Sequence, residues 1–306
     1  SGGTITLNSG GSLASGSTLS LPDSTLVLQN ALAISASTLK TKNTTLTTNG
    51  KALSLSAGIL EVEGTQDLSG VSTDGTGTLR LIANTSLNDN AALSVGTLDL
   101  ADFALTLDDA MAGLSVSQAV TLDAATEQII SGDADLSLNG GISVNAGTLS
   151  STGGTASASS LSAGAAGTLN FQGGTLSLPN GATAVSGATF TTSGTTLNLG
   201  GSLAVADTWT STNTSIVLTD VASLSSTEEI SLATLTTSGY DFELDSVTSD
   251  LTIENAFTLS GVETLSTQGA DLIFESSADI SSGSTLDASG GGKLEFQQGG
   301  TDNGTI

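Results

Sequence analysis

The side chains able to do chemistry in this chain are almost all carboxylates. Histidine and cysteine are absent. That excludes Ser–His–Asp and Cys–His nucleophilic catalysis, in which an imidazole must take up a proton. It equally excludes His–carboxylate metal sites and zinc centres of the usual ligand types. What remains for an enzyme is acid–base work by Asp and Glu. Glycoside hydrolysis needs two carboxylates flanking a cleft with a sugar-binding surface around them. Close pairs occur at Asp108/Asp109, Asp133/Asp135 and Glu228/Glu229. Sugar platforms usually use aromatic faces, yet the chain has one Trp and one Tyr. Lyases of acidic polysaccharides also use cations to neutralise uronate charge. The basic residues here are Lys40, Lys42, Lys51, Arg80 and Lys293, which are dispersed and mostly N-terminal. The paired carboxylates are therefore expected to be solvated and outward-facing. The chain is expected not to be an enzyme, with no catalytic and no cofactor-binding residue.

One acidic run has a different geometry. In Asp241-Phe242-Glu243-Leu244-Asp245 the carboxylates alternate with apolar residues. On a strand, Asp241, Glu243 and Asp245 share one face, and Phe242 and Leu244 the other. Hard oxygen ligands suit Ca²⁺, so these three are the candidate ligands of a structural calcium ion. No EF-hand loop and no glycine–aspartate nonapeptide repeat accompanies them. The alternative is an exposed acidic strand face. By the same parity Tyr240 is expected to face the core, whereas Trp209, between two threonines, is compatible with either side.

Thr-x-Thr occurs at Thr4-Ile5-Thr6, Thr45-Leu46-Thr47, Thr208-Trp209-Thr210 and Thr234-Leu235-Thr236. An ice-binding face needs that motif in register on successive coils. These instances are sparse and out of phase with the apolar ladders, and outward Thr around a core Leu is ordinary strand chemistry. The glycosylation sequons at Asn43-Thr44-Thr45 and Asn213-Thr214-Ser215 are chance matches in so Thr- and Ser-rich a chain.

The elements that must carry these residues are short strands. Thr18-Leu19-Ser20-Leu21, Thr78-Leu79-Arg80-Leu81, Thr97-Leu98-Asp99-Leu100, Thr175-Leu176-Ser177-Leu178 and Thr196-Leu197-Asn198-Leu199 all alternate with period two. Gly, Asn, Asp and Ser clusters separate them, as turns require. The best helical stretch, Leu107 to Gly113, is short. Apolar positions then recur in three ladders stepping by about 20 residues. One runs Leu13, Leu32, Leu53, Val71, Leu93, Leu114. The second runs Leu19, Leu39, Leu60, Leu79, Leu98, Val120. The third runs Leu26, Leu46, Leu68, Leu87, Leu105, Ile129. Near the C-terminus a column continues through Leu232, Ile253, Phe274 and Phe296. Three offset ladders mean about 20 residues per coil with three short strands, stacked in parallel. The expected fold is all-β: a right-handed parallel β-helix, or β-solenoid, its hand set by the crossover rule. Residues 1–306 are expected to form a single solenoid segment of something longer, with irregular coils around 145–225.

Charge narrows the partners. Five Lys+Arg against 30 Asp+Glu give a net charge of −25. Such a surface repels nucleic acid and anionic membranes. No apolar run approaches the ~20 residues of a membrane helix, so no membrane insertion is expected.

Phrases such as Gly2-Gly3-Thr4-Ile5-Thr6-Leu7-Asn8-Ser9-Gly10-Gly11-Ser12-Leu13 and Gly173-Gly174-Thr175-Leu176-Ser177-Leu178-Pro179-Asn180-Gly181-Ala182 resemble the repetitive regions of large bacterial surface proteins. These are autotransporter passengers, filamentous-haemagglutinin-like adhesins and giant repeat adhesins. The resemblance is one of style along the whole chain. It implies a right-handed β-helix, export to the bacterial cell surface, and roles in adhesion or surface architecture. The expected function is a structural or adhesive extracellular rod. The alternative is a polysaccharide-binding or -degrading β-helix of tailspike type. Expected partners are copies of the chain or flanking repeats, joined through open ends where residues 1–7 and about 290–306 read as uncapped strands. Surface glycans are a further candidate partner.

Overall fold

The computed structural model describes residues 2–68, 75–88, 92–108, 111–207, 209–245 and 250–306. Within them the chain is all-β with no helix, and its parallel sheets stack as a β-solenoid with roughly 21 residues per turn. Two compact units are present, Ser1–Ala158 and Ser159–Ile306. Turns of the first unit carry up to three strands, as in Asp135–Leu138, Ile142–Val144 and Thr148–Ser151. Alternation drives this arrangement. In Thr25–Leu28, for example, Leu26 and Leu28 are buried, while Thr25 and Val27 face outward and are half-buried.

In the first unit the second ladder stacks as the sequence predicts. Leu19 pairs with Leu39, Leu39 with Leu60, Leu60 with Leu79 and Leu79 with Leu98. Leu60, Leu79 and Leu98 are all buried. The other two ladders hold in part. Leu32 pairs with Leu53 and Leu93 with Leu114. Leu13, however, pairs with Ile34 rather than Leu32. Leu26 pairs with Leu46 and Leu105 with Ile129, whereas Leu87 pairs with Gln66 rather than Leu68 and with Leu107 rather than Leu105. These three departures are slips of two residues, which leave the same face inward. Val71 lies outside the described residues, as do Asp109 and Thr208.

In the second unit Leu232, Ile253, Phe274 and Phe296 pair in succession as expected. Earlier in that unit the inward positions are often small. Leu161 pairs with Ala182 and Ala163 with Ala184. The same coils carry rings on another strand: Leu169 pairs with Phe190, and Phe190 with Trp209. Mixing Ala with Phe and Trp lets large side chains on one strand fill the space that small ones leave on another. Trp209 is buried, stacks on Phe190 at 5.3 Å, and donates from Nε1 to Thr192 Oγ1 at 2.9 Å.

Where the chain turns between sheets, buried hydroxyls replace apolar side chains. Thr44 donates to Leu21 O, Thr195 to Phe171 O, Thr214 to Thr192 O and Ser284 to Leu259 O. Each bond ties a corner to a carbonyl of the preceding coil, so the buried oxygen is satisfied. Apolar residues at the first and last coils have a neighbour on one side only. Ile5 is 40% exposed although it pairs with Leu26, and Phe296 is half-exposed although it stacks on Phe274.

Candidate functional site

The outward face of the first unit holds a charge ladder. Ser20, Lys40, Glu61, Arg80 and Asp99 pair one above another on successive strands. Lys40 Nζ lies 3.8 Å from Glu61, Arg80 Nη1 lies 3.7 Å from Glu61, and Arg80 Nε lies 2.7 Å from Asp99. The charges alternate, so each cation sits against an anion of a neighbouring coil. Lys42 adds a parallel pair with Glu63 at 2.6 Å. The hydrogen bond to Asp99 raises the Arg80 pKa, and that to Glu63 raises the Lys42 pKa. In the second unit Lys293 pairs with Glu295. Four of the five cations are thus committed to carboxylates. The signal was present in the sequence: positions 40, 61, 80 and 99 alternate in sign at one-coil intervals.

Many carboxylates serve the backbone of the coil above. Asp135 accepts from Thr155 N, Asp241 from Thr264 N, Asp271 from Lys293 N and Asp279 from Thr301 N, at 2.6–2.9 Å. Asp279 also accepts from the Thr301 hydroxyl, and these bonds hold its pKa below the ordinary 3.8. Asp207 is held down likewise by the Ser186 hydroxyl and Gly187 N–H. Asparagines do the same with the opposite polarity: Asn30 donates to Asn8 O, Asn49 to Leu28 O and Asn180 to Ser159 O. Two glutamates are buried at turns. Glu127 accepts from Asp123 N, Ala124 N and Asp102 N. Glu263 accepts from Ser260 N and Thr237 Oγ1.

The candidate carboxylate pairs are placed as follows. Of Asp133/Asp135, the second is engaged by Thr155. Glu228 and Glu229 are consecutive exposed turn residues. Asp108 is described, but its companion Asp109 is not. Asp241 and Glu243 are exposed on the outer face, and Phe242 and Leu244 are buried beneath them, as the parity predicts. They line a groove of about 510 Å³ together with Val221, Ser223, Thr264 and Ser266. Asp245 ends that run, its N–H donating to Leu224 O. No group of three or more potential ligands converges for a metal ion among the described residues.

Two expectations are corrected. Tyr240 is 37% exposed, not in the core. It closes a turn in which Ser238 and Gly239 have positive φ and Tyr240 N donates to Thr237 O. The strand begins only at Phe242, so parity cannot be carried back to Tyr240. Two Thr-x-Thr motifs are also in phase with a ladder, since Ile5 pairs with Leu26 and Leu26 with Leu46. Thr4, Thr25 and Thr45 form one column, and Thr6, Val27 and Thr47 the next.

No family model matches the chain, and no curated protein or solved structure shows significant similarity to it. The β-solenoid architecture is that of β-helical repeat proteins in general.

Proposed function

We propose that this chain is a structural or adhesive segment of an extracellular solenoid, built to persist as a scaffold and without catalytic activity. One observation carries the reading: many of its charged side chains are engaged in bonds between successive coils. Arg80, Lys40 and Lys42 pair with carboxylates on adjacent coils, and Asp135, Asp241, Asp271 and Asp279 hold backbone N–H groups one coil on. A catalytic carboxylate must instead be aimed at substrate. The likeness of its repeats to bacterial surface adhesins supports export and a place at the cell surface. The partners that fit are further coils, from the same polypeptide or another copy, stacked on the apolar residues around Ile5 and Phe296, with surface glycans as a second class.

The test is turnover by the purified chain on neutral and acidic polysaccharides. None is expected. Cleavage that disappears in Glu243→Gln would overturn the scaffold reading. The second reading, a polysaccharide-binding β-helix of tailspike type, is favoured by one feature, the groove beside Asp241 and Glu243. Its volume falls within the range of small-molecule sites. Saturable binding of an oligosaccharide that is lost in Glu243→Gln, without turnover, supports that second reading.

A further inference from the structure

The sequence contains four Asn-Gly dipeptides, at 49–50, 139–140, 180–181 and 303–304. In such a dipeptide the chain can modify itself, asparagine being among the thermolabile residues. The glycine nitrogen attacks the asparagine Cγ and gives up its proton, the side-chain nitrogen leaves as ammonia, and a succinimide ring closes. Water then opens the ring at either carbonyl, giving aspartate or isoaspartate. Glycine favours the step because no Cβ shields its nitrogen and its backbone rotates freely. The fold decides which dipeptide reacts, since the glycine N–H must be free and the turn must have room to rearrange.

Three of the four are packed or tied. Gly181 N donates to Leu178 O, and a Cβ there would lie 1.8 Å from Ser202 O. Gly304 N donates to Asp302 Oδ1 at 3.1 Å, and a Cβ there would lie 2.7 Å from Ile280 Cγ2. Gly140 backs onto the preceding coil, where a Cβ would lie 2.2 Å from Gln118 C. The dipeptide at 49–50 is open. Its turn is closed by one bond, from Lys51 N to Thr48 O at 2.9 Å, with φ of 51° at Asn49 and 72° at Gly50. Asn49 and Gly50 are both exposed, and a Cβ at Gly50 would meet nothing within 4 Å. Gly50 N–H has no acceptor among the described residues. The next residue, Lys51, is exposed and has no carboxylate partner among the described residues, unlike the other four cations. Its positive charge favours the deprotonated nitrogen that attacks.

We propose that Asn49 is a self-modification site, which deamidates to aspartate and isoaspartate in the folded chain and so releases a tie between coils of the first unit. Asn49 Nδ2 donates to Leu28 O of the preceding coil at 3.1 Å. In aspartate an oxygen stands where that NH₂ stood, so a donor becomes an anionic acceptor facing a carbonyl. Attraction turns into repulsion at one corner of the solenoid. Isoaspartate goes further, because it adds a carbon to the main chain within a tight turn. Either product adds one negative charge to a chain already at −25.

The test ages the whole folded chain at mildly alkaline pH and reads each dipeptide by peptide mass spectrometry. Exchange of NH₂ for OH registers as a mass gain, and isoaspartate separates from aspartate by retention. Asn49 is expected to convert about tenfold faster than Asn139, Asn180 or Asn303. In the chain unfolded by urea the four rates are expected to converge, because the fold is what distinguishes them. Gly50→Ala is expected to slow conversion at Asn49 about tenfold and to leave the other three unchanged. Alanine at positive φ is already tolerated at Ala36 and Ala57, and thermal melting checks that the variant is folded. Melting also reads the consequence. Asn49→Asp is expected to melt below wild type and below Asn49→Ala, which loses the donor without adding an anion. Equal rates at all four dipeptides in the folded chain overturn the proposal, as does an order that persists unchanged in urea. Melting of Asn49→Asp together with wild type also overturns it, since no tie would then be released.

Discussion

A carboxylate on a solenoid wall can face solvent or fasten the next coil, and the difference is measurable one residue at a time. Asp279 accepts two hydrogen bonds from Thr301 in the coil above, and its pKa is lowered in consequence. A depressed folded pKa contributes stability that is present above the unfolded value and is lost as pH falls through the folded one. Asp279→Ala should therefore lower the melting temperature at pH 7. The gap to wild type should close as the pH is taken below 3.8. A gap that persists undiminished at pH 2 would show that the bond to Thr301 is not what Asp279 contributes. Glu127 is a sterner case, being buried with three N–H donors around it. Glu127→Ala strands those donors and should destabilise by about 1–3 kcal/mol, checked by denaturant unfolding. Neither role was legible in the sequence, because a turn glutamate and a solvated one look alike. Alternation did give the faces of Phe242 and Glu243. It failed at Tyr240, where the strand had not yet begun.

At the scale of the element, inward columns are what hold successive strands in register. Leu79 is fully buried between Leu60 and Leu98. Leu79→Ala should cost about 2–5 kcal/mol through the lost contacts and the cavity left behind. Leu79→Asp should cost more, because a charge would lie unpaired in that column. Equal melting temperatures for Leu79→Ala and wild type would sink the column argument. Turns impose a second constraint. Gly181 has a φ of +77°, and a Cβ there would lie 1.8 Å from Ser202 O in the next coil. Gly181→Ala should therefore be destabilising well beyond the ordinary Gly-to-Ala change, since both the backbone angle and the coil spacing forbid it. These columns were only partly legible. Each strand offers two inward positions two residues apart, and periodicity alone cannot choose between them. That is why Leu13 and Leu87 were matched to the wrong neighbours while the Leu19–Leu98 ladder came out correctly. Between Ala156 and Ala188 alanine takes turns with leucine at the inward positions, as where Leu136 pairs with Ala156 and Leu161 with Ala182. Alanine is equally at home on an exterior, so the column fades from the sequence just where it persists in the structure.

At the scale of the whole chain, two electrostatic effects oppose one another and their sizes decide the outcome. Salt weakens the ladder of Lys40, Glu61, Arg80 and Asp99, but exposed ion pairs of this kind contribute only about 0–1 kcal/mol each. Salt also weakens repulsion among the carboxylates, and 30 acidic residues stand against five basic ones. Attraction is confined to a few pairs, whereas repulsion acts between every close pair of unpaired carboxylates, so relief of repulsion should prevail. The melting temperature should therefore rise as NaCl increases from about 0.01 to 0.15 M, over which the Debye length contracts from about 30 to 8 Å. Calcium at equal ionic strength should add at most a modest further gain, since no cluster of ligands converges among the described residues. A large calcium-specific rise abolished by Glu243→Gln would place an ion on the strand of Asp241 and Glu243. A melting temperature that falls over the same NaCl range would mean that the few ion pairs outweigh the many repulsions. In that case the charge ladder, not the aliphatic column, would be the principal tie between coils of the first unit.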